Sequence, residues 1–317
     1  MANPELHYRA YTPEDEPAIL ELFEQSFKRP LSSTVWRWRF LQNPSGAGMI
    51  QLAWDGDTLA AHYAITQAEL AFEGEPLKSG LSGTTMTHPN YRGLGLFPLL
   101  AERTYAQMAD NGLALVWGYP NTMSHRVFVT DVHWRDIYET PFFRAQTSAI
   151  QNLPKPKHVS PLERFDARFD TFWHAEKQRY RIIGRRDQAQ LNWRYVDNPS
   201  DTYMILASAP AGDLDGYLVY KRYKDELQIV DVLIQNVDVG LELLAAVVMQ
   251  AQETNAESVA MWLALDDDFH RALEKRGFLP AAPITYFGAR LLKTDRRLEA
   301  AYDYHQWFLT MGDSDVY

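Results

Sequence analysis

The fold is decided by the stretch Thr84-Thr85-Met86-Thr87-His88-Pro89-Asn90-Tyr91-Arg92-Gly93-Leu94-Gly95-Leu96-Phe97. Its β-branched start predicts a short strand, the Pro-Asn pair predicts a turn, and the apolar pattern after the second glycine predicts a helix. Gly93 and Gly95 lack a Cβ atom, so the backbone there can adopt φ > 0 and bring its N–H groups close to a ligand. The helix start adds unpaired N–H groups and the positive end of the helix dipole. The stretch therefore predicts a cradle for a phosphate or a pyrophosphate.

The composition limits the classes of partner. The chain has 317 residues, 46% of them hydrophobic and 23% charged, which predicts a soluble globular protein of two domains. It carries 41 acidic and 31 basic residues, a formal charge of -10, so neither a nucleic acid nor an anionic membrane is expected as a partner. The absence of cysteine excludes disulfides and a cysteine acyl-enzyme. Since the N-terminus shows no secretory signal pattern, we expect a cytoplasmic protein.

The elements around the cradle follow an order of strands and helices. Residues 49–54 and 58–66 predict two strands that flank a hairpin turn at Asp55-Gly56-Asp57. The helix after the cradle is predicted from Leu96 to Asp110, where Asn111-Gly112 is a stop signal. A short apolar strand at residues 113–117 and a helix at residues 124–131 follow.

An internal repeat predicts two copies of one α/β unit. The sequence Trp-Arg-Phe-Leu-Gln-Asn-Pro-Ser at residues 38–45 returns as Trp-Arg-Tyr-Val-Asp-Asn-Pro-Ser at residues 193–200, and the predicted elements that follow have the same order. Residues 153–157, Leu-Pro-Lys-Pro-Lys, are typical of a stiff linker. We therefore predict a first domain at residues 1–150, a linker at 151–157 and a second domain with a tail at 158–317. The sequence leaves open whether residues 311–317 form a docked strand or a loose end.

The first copy resembles the Gcn5-related N-acetyltransferase (GNAT) family. The family's cradle pattern, Arg/Gln-x-x-Gly-x-Gly/Ala, is matched by residues 92–97 except at the last place, where Phe97 replaces a small residue. The family's later Asn, small residue and Tyr fall on Asn121, Ser124 and Phe128. The second copy keeps the late Gly277-Phe278 ending, but residues 235–240 contain one glycine and Asp238, which would repel a pyrophosphate. The resemblance implies an α/β fold with mixed sheets, formed by two tandem acyl-CoA N-acyltransferase domains of which the second is degenerate.

The resemblance also implies a cosubstrate, acetyl-CoA or another acyl-CoA. Its pyrophosphate is expected on the N–H groups of Gly93, Leu94, Gly95, Leu96 and Phe97, with Arg92 adding positive charge. Its pantetheine arm is expected along the backbone of Thr85, Met86 and Thr87, and its thioester beside Asn121 and Ser124. The implied reaction is direct acyl transfer to a small amine-bearing acceptor such as an amino sugar, an amine or an amino acid, which is mainly a positioning task.

The acid and the base are not given by the motif, because Phe128 cannot protonate a leaving thiolate. Tyr119, at the end of the strand beside the cradle, and His62, in a neighbouring strand, are the candidate catalytic residues, and His125 is a lesser one. Each also has a purely structural interpretation in which it packs or is solvated. No group of His, Asp and Glu has the spacing of a metal site.

Two other functions are compatible with the sequence. The two-copy architecture is similar to that of aminoacyl-tRNA-dependent peptidoglycan transferases and of mycothiol synthase-like enzymes, although the acidic charge disfavours tRNA. Alternatively, the loss of Tyr at Phe128 marks a non-catalytic CoA-binding or assembly module. An exposed face of the second copy could support a homodimer.

Overall fold

A computed structural model describes residues 5–140, 142–283 and 285–317. The strands are β1 Leu6–Ala10, β2 Met49–Asp55, β3 Thr58–Phe72, β4 Glu75–Thr87, β5 Leu115–Gly118, β6 Arg135–Glu139, β7 Phe142–Gln146, β8 Val159–Leu162, β9 Ile182–Gly184, β10 Met204–Ser208, β11 Gly216–Tyr223, β12 Glu226–Ile234, β13 Ser258–Trp262, β14 Leu279–Ala281, β15 Tyr286–Leu291 and β16 Trp307–Phe308.

The α-helices are α1 Glu16–Phe27, α2 Ser33–Leu41, α3 Leu96–Asp110, α4 His125–Thr130, α5 Arg168–Glu176, α6 Gln188–Leu191, α7 Val237–Glu253 and α8 Asp268–Glu274. Short 3₁₀ helices cover Pro13–Asp15, Pro89–Tyr91, Thr147–Ala149, Lys177–Arg179, Arg296–Tyr302, Tyr304–Gln306 and Met311–Asp313, and a π-helical turn covers Asn192–Val196. None of the helices in the described ranges is long and apolar enough to cross a membrane.

The chain forms two compact units, each with its own mixed sheet. The first unit comprises Met1–Glu69, Leu77–Ile137 and Phe287–Tyr302, and the second comprises Leu70–Pro76, Tyr138–Tyr286 and Asp303–Tyr317. The strand order is β1-β2-β3-β4-β5-β15-β6 in the first sheet, where β9 also pairs with β3 and with β16, and β14-β7-β13-β12-β11-β10-β8 in the second. Both sheets combine antiparallel hairpins with parallel pairing: β4 with β5 and β9 with β16 in the first, and β12 with β13 in the second. The predicted architecture of two α/β units with mixed sheets is thus confirmed.

The sheets do not follow the predicted division at residues 150 and 158. β7 lies within the predicted first domain, but it pairs with β13 and β14 in the second sheet. β15, which the sequence assigns to the second domain, pairs with β5 in the first sheet. The physical reason is that each strand supplies hydrogen-bonding partners to an edge that the other half of the chain leaves unpaired. Residues 151–157, predicted as a linker, lie inside the span of the second unit.

The first sheet has a core on each face. Alternate residues of a strand point to opposite faces, so Tyr63 and Ile65 of β3 pack with α3, while Ala64 packs with α1 and α2. Trp36 and Phe40 of α2 are almost fully buried in the second of these cores. The aromatic residues of α2 thus anchor this helix to the sheet.

The sequence repeat corresponds to a repeated local structure. Asn43 accepts a hydrogen bond from the N–H of Ser45 at 2.8 Å, and Asn198 accepts one from the N–H of Ser200 at 2.9 Å. Both asparagines are buried and precede a proline, so each closes the helical segment before it and directs the chain into the next hairpin. The shared Asn-Pro-Ser is thus a turn motif of both units.

Candidate functional site

The first unit contains a break in its parallel strand pair. β4 pairs with β5 from Ser79 with Leu115 to Leu81 with Trp117, and the pairing ends there. The β4 residues that follow, 83–85 and 87, are half-exposed, whereas Met86 points into the core against α1 and α2. Thr85 and Thr87 therefore share the opposite face of the strand from Met86. The break leaves one edge of β4 accessible beside the start of α3.

The backbone of β4 is distorted where the break begins. Thr84 has a φ of +57°, in the left-handed region that a β-branched residue rarely adopts. Its carbonyl oxygen lies 2.9 Å from Nδ1 of His62 on β3. Because a carbonyl can only accept, Nδ1 carries the proton and Nε2 has the lone pair. A distorted strand residue of this kind changes the direction of the neighbouring backbone groups, as a β-bulge does.

His62 is held neutral by its surroundings. It is 1% exposed, and burial lowers its pKa to about 4 despite the hydrogen bond to Thr84. Nε2 has no hydrogen-bond partner among the described residues. A buried imidazole with so low a pKa fits the role of holding the distorted β4 backbone better than that of a base. The predicted role of His62 as a catalytic base stays a prediction.

The glycine cradle lies at the start of α3. Gly93 and Gly95 have φ of +82° and +69°, and a Cβ built on either one meets nothing within 4 Å. Gly95 is the N-cap of α3 and provides no side-chain hydrogen bond to the first helical turn. The N–H groups of that turn therefore lack a side-chain cap from Gly95, and the space where side chains at Gly93 and Gly95 would lie is open. These are the properties that an anion such as a pyrophosphate requires.

The side chains around the cradle separate into exposed and buried ones. Arg92 is exposed, and no described residue forms an ion pair with it. Leu94 is exposed, whereas Leu96 is buried in the core beneath α3. The ring of Phe97 lies 5.3 Å from that of Tyr63 and 4.9 Å from that of Phe128. Phe97 therefore packs α3 onto the sheet, and only its backbone N–H can take part in the cradle.

The late motif forms the turn that precedes α4. Oδ1 of Asn121 accepts hydrogen bonds from the N–H groups of Met123 and Ser124, both at 3.0 Å, and lies 3.2 Å from Oγ of Ser124. Phe128 is buried, with its ring 4.6 Å from that of Trp134, so no hydroxyl is present at this position. Nε2 of His125 lies 2.6 Å from Oδ1 of Asp136. The contact of Asn121 and Ser124 with a thioester stays a prediction.

Tyr119 follows the last residue of β5 and lies on the other side of the break from β4. It is 7% exposed, and its ring packs against those of Trp117 and Phe287 at 6.2 Å and 5.3 Å. Its position beside the break is compatible with a proton donor, a role that stays a prediction.

A buried hydroxyl network, which sequence reasoning missed, lies below the break. The hydroxyl of Tyr63 is 2.9 Å from Oγ of Ser82 and 3.1 Å from the hydroxyl of Tyr105, which accepts from Nε1 of Trp134. Burial raises the pKa of Tyr63 to about 12, so its hydroxyl stays protonated. Ser82 is the first β4 residue after the pairing ends. The sequence signal that could have indicated this network is the placement of Tyr63 and Ser82 on two consecutive strands, where their side chains can point to the same face of the sheet.

The second unit has the corresponding break without the cradle. β12 pairs with β13 from Glu226 to Ile229, and the pairing ends there. The helix that follows, α7, is capped by Asn236, whose Oδ1 accepts from the N–H of Val239 at 3.1 Å, and Asp238 lies in its first turn. Gly240, the glycine of residues 235–240, packs against Ile234, because a Cβ at this position would lie 2.6 Å from the Ile234 side chain.

Comparisons with known proteins agree with this geometry. Residues 7–128 match the family model described as the acetyltransferase (GNAT) domain. A search of curated protein sequences finds no match. The matched segment contains the break, Gly93 and Gly95, Asn121 and Ser124.

Solved structures resemble the chain over almost its whole length. A GCN5-related N-acetyltransferase from Anabaena variabilis superposes with a TM-score of 0.73 at 14% identity, covering 91% of this chain and 73% of the other. One from Kribbella flavida gives 0.67 at 17% identity, with coverages of 91% and 71%. A tandem GNAT protein from the clavulanic acid biosynthesis pathway gives 0.59 at 11% identity, with coverages of 92% and 100%. Residues 7–128 thus match the GNAT acetyltransferase domain, and the chain as a whole shares its fold with a tandem GNAT protein.

Proposed function

We propose that the first unit is an acyl-CoA-dependent N-acyltransferase, with acetyl-CoA as the expected donor and a small amine as the acceptor. The observation that carries this proposal is the uncapped start of α3 beside the break between β4 and β5. The N–H groups of residues 93–97 would hold the pyrophosphate, and the exposed guanidinium of Arg92 would add charge. The accessible edge of β4 at residues 85–87 would pair with the pantetheine arm. The geometry therefore fits an acyl-CoA along the break.

The chemistry then depends on positioning. The acceptor nitrogen attacks the thioester carbon, a C–N bond forms, the C–S bond breaks, and the amine proton is lost as the thiolate gains one. Holding the two reactants in contact can supply most of the acceleration. Tyr119, beside the break, is our candidate for the group that returns a proton to the thiolate. Tyr119→Phe is expected to lower kcat by about 100-fold and to leave the KM for acetyl-CoA unchanged; an unchanged kcat would exclude this role.

Ligand-induced stabilisation tests the acyl-CoA site. A ligand at 100 times its dissociation constant stabilises the native state by about 2.7 kcal/mol, so acetyl-CoA should raise the melting temperature of the native chain. Gly95→Asp places a carboxylate in the cradle and should abolish the shift. Gly112→Asp is the matched control, because Gly112 also has a positive φ, of +81°, and open space around it, at the opposite end of α3. An absent shift in the native protein, or equal shifts in both variants, would contradict the proposal.

A second candidate function is a non-catalytic acyl-CoA-binding module. Phe128, buried between aromatic rings, provides no hydroxyl where the family motif has Tyr, and this favours a protein that binds without transfer. Incubation with acetyl-CoA and a panel of small amines distinguishes the two functions. Release of free thiol with an amine supports the transferase, whereas binding without thiol release across the panel supports the module.

A further inference from the structure

Residues 310–314, which we call the tail segment, lie against the break in the second unit. Oγ1 of Thr310 is 3.1 Å from Oδ1 of Asp231 on β12. A Cβ on Gly312 would lie 3.1 Å from the carbonyl oxygen of Val230. Val230 is the first residue of β12 after its pairing with β13 ends, and it is also the residue left over where the register with β11 shifts. The tail segment thus begins its contact where the two parallel strands part.

The other side of the break is contacted as well. The ring of Tyr317, just beyond the tail segment, lies 5.1 Å from that of Trp262, which ends β13. Contacts to both strands place this part of the chain between them. Thr310, Met311 and Ser314 are at most 2% exposed, so the segment is enclosed like a core element.

A buried ion cluster holds the tail segment. Arg186 is 3% exposed and contacts Asp231 of β12 at 3.1 Å and Asp313 of the tail segment at 2.6 Å. Oδ2 of Asp313 also accepts from the N–H of Thr310 at 2.8 Å. One guanidinium therefore joins the strand to the segment, in a place from which solvent is excluded.

The backbone of the tail segment is recognised too. Arg194 donates to the carbonyl oxygens of Gly312 and Ser314, each at 3.2 Å. At Gly312 only a glycine fits, because a Cβ would lie 1.9 Å from the hydroxyl oxygen of Tyr195, itself 5% exposed. Two arginines, a glycine-sized space and a buried hydroxyl make this a built site for a peptide.

We propose that the break between β12 and β13 is a peptide-binding groove whose ligand is the tail segment of the same chain, and that this ligand replaces acyl-CoA in the second unit. The groove selects its ligand by backbone hydrogen bonds, a carboxylate for Arg186 and the absence of a side chain at Gly312. The statement about acyl-CoA rests on the function proposed for the first unit; the statement about the peptide does not.

Hydrogen exchange of the native full chain tests the groove without any substitution. Amides of residues 311–314 and of residues 230–233 should exchange at least 100-fold more slowly than those of an unstructured peptide. Exchange of residues 311–314 at the unstructured rate would overturn the proposal.

Gly312→Ala tests the fit. The added methyl group should speed exchange in both sets of amides by at least 10-fold, while the amides of α3 in the first unit stay unchanged. Tyr195→Phe removes the nearest oxygen, so the double variant should regain part of the protection. Val316→Ala is the matched control, since Val316 is 53% exposed. Unchanged exchange in Gly312→Ala, or a double variant no better protected than the single one, would contradict the fit.

The replacement of acyl-CoA has a separate readout. Calorimetric titration with acetyl-CoA should give one binding site per native chain. Gly312→Ala should also give one site, and the double variant Gly95→Asp/Gly312→Ala should give none. Two sites per native chain would refute the replacement, whereas no binding at all would refute the proposed function and leave the exchange results valid.

Discussion

The two units share a broken parallel strand pair, yet they differ in what lies at the break. In the first unit, residues 83–85 of β4 are half-exposed, and α3 begins after Gly95 without a side-chain cap. In the second unit, residues 230–233 of β12 are at most 2% exposed, and α7 begins with the side-chain cap of Asn236. The break therefore belongs to the fold of both units, whereas the accessible edge and the uncapped helix distinguish the first unit, where we propose that acyl-CoA binds. A helix start whose N–H group is already capped, with a carboxylate in its first turn, disfavours the binding of a pyrophosphate.

The largest expected effect comes from separating the two halves of the chain. The first sheet includes β15 between β5 and β6, so a fragment of residues 1–150 leaves those strands without their partner. We expect the fragments 1–150 and 158–317, each expressed alone, to lack a cooperative thermal transition. Circular dichroism and near-UV melting measure this. A fragment 1–150 that melts cooperatively would show that the units fold independently of the exchanged strands.

The second effect concerns the charge at the second unit's break. Burial disfavours the charge of Arg186, but Asp231 and Asp313 outweigh this, and its pKa is raised. Arg186→Met leaves two buried carboxylates uncompensated and should lower the free energy of unfolding by about 3–5 kcal/mol. Arg164→Met is the control, because Arg164 pairs with Asp197 on the surface, and a loss within about 1 kcal/mol is expected. Denaturant titration decides, and equal losses would contradict the difference between the pairs.

The third effect is the pH dependence of stability that arises from the buried, neutral His62 beside the break of the first unit. The pKa of His62 is about 4 in the folded chain and about 6.5 when unfolded, so the unfolded state binds the extra proton first as the pH falls. The contribution of neutral His62 to the free energy of unfolding is therefore complete above about pH 6.5. It falls by about 3 kcal/mol in total as the pH is lowered from about 6.5 to 4. His62→Gln should remove this part of the pH dependence, measured by denaturant unfolding across that range. The exposed His158, changed to Gln, should leave the slope as it is; a slope unchanged by His62→Gln would contradict the buried neutral state.

Local sequence signals predicted the parts of the molecule that local forces determine. The helix from Leu96 to Asp110 was predicted with the bounds that the structure has, because Gly95 and Asn111-Gly112 delimit it. The left-handed glycines of the cradle were predicted for the same reason. The exchanged strands β7 and β15 were not, since a short apolar strand carries no mark of which sheet edge it joins.

The contents of the two breaks were also beyond local signals. Thr84 has a β-branched side chain, which predicts an ordinary strand conformation. Its left-handed backbone becomes visible only in the structure, where its carbonyl oxygen contacts His62 on the neighbouring strand β3. Residues 311–317 were left open between a docked strand and a loose end, and the structure shows a docked 3₁₀ helix at Met311–Asp313. Its anchor, Arg186, lies far away in sequence from Asp313. Contacts of this kind are selected by the assembled core, which sequence spacing does not describe.

The smallest effects compare two asparagines whose side chains accept hydrogen bonds from backbone N–H groups: Asn236, which caps α7, and Asn121, in the turn before α4. Asn236→Ala removes the hydrogen bond to the N–H of Val239 and should cost about 0.5–2 kcal/mol, with the acetyl-CoA affinity unchanged. Asn121→Ala removes the hydrogen bonds to Met123 and Ser124 and should cost a similar amount. In addition, it should weaken acetyl-CoA binding, because we propose that the turn it fixes, which follows β5, lies beside the thioester. Thermal unfolding with and without acetyl-CoA measures both quantities for each variant. If Asn236→Ala weakened acetyl-CoA binding as much as Asn121→Ala does, the ligand would not distinguish the two breaks, and the assignment of acyl-CoA to the first unit alone would fail.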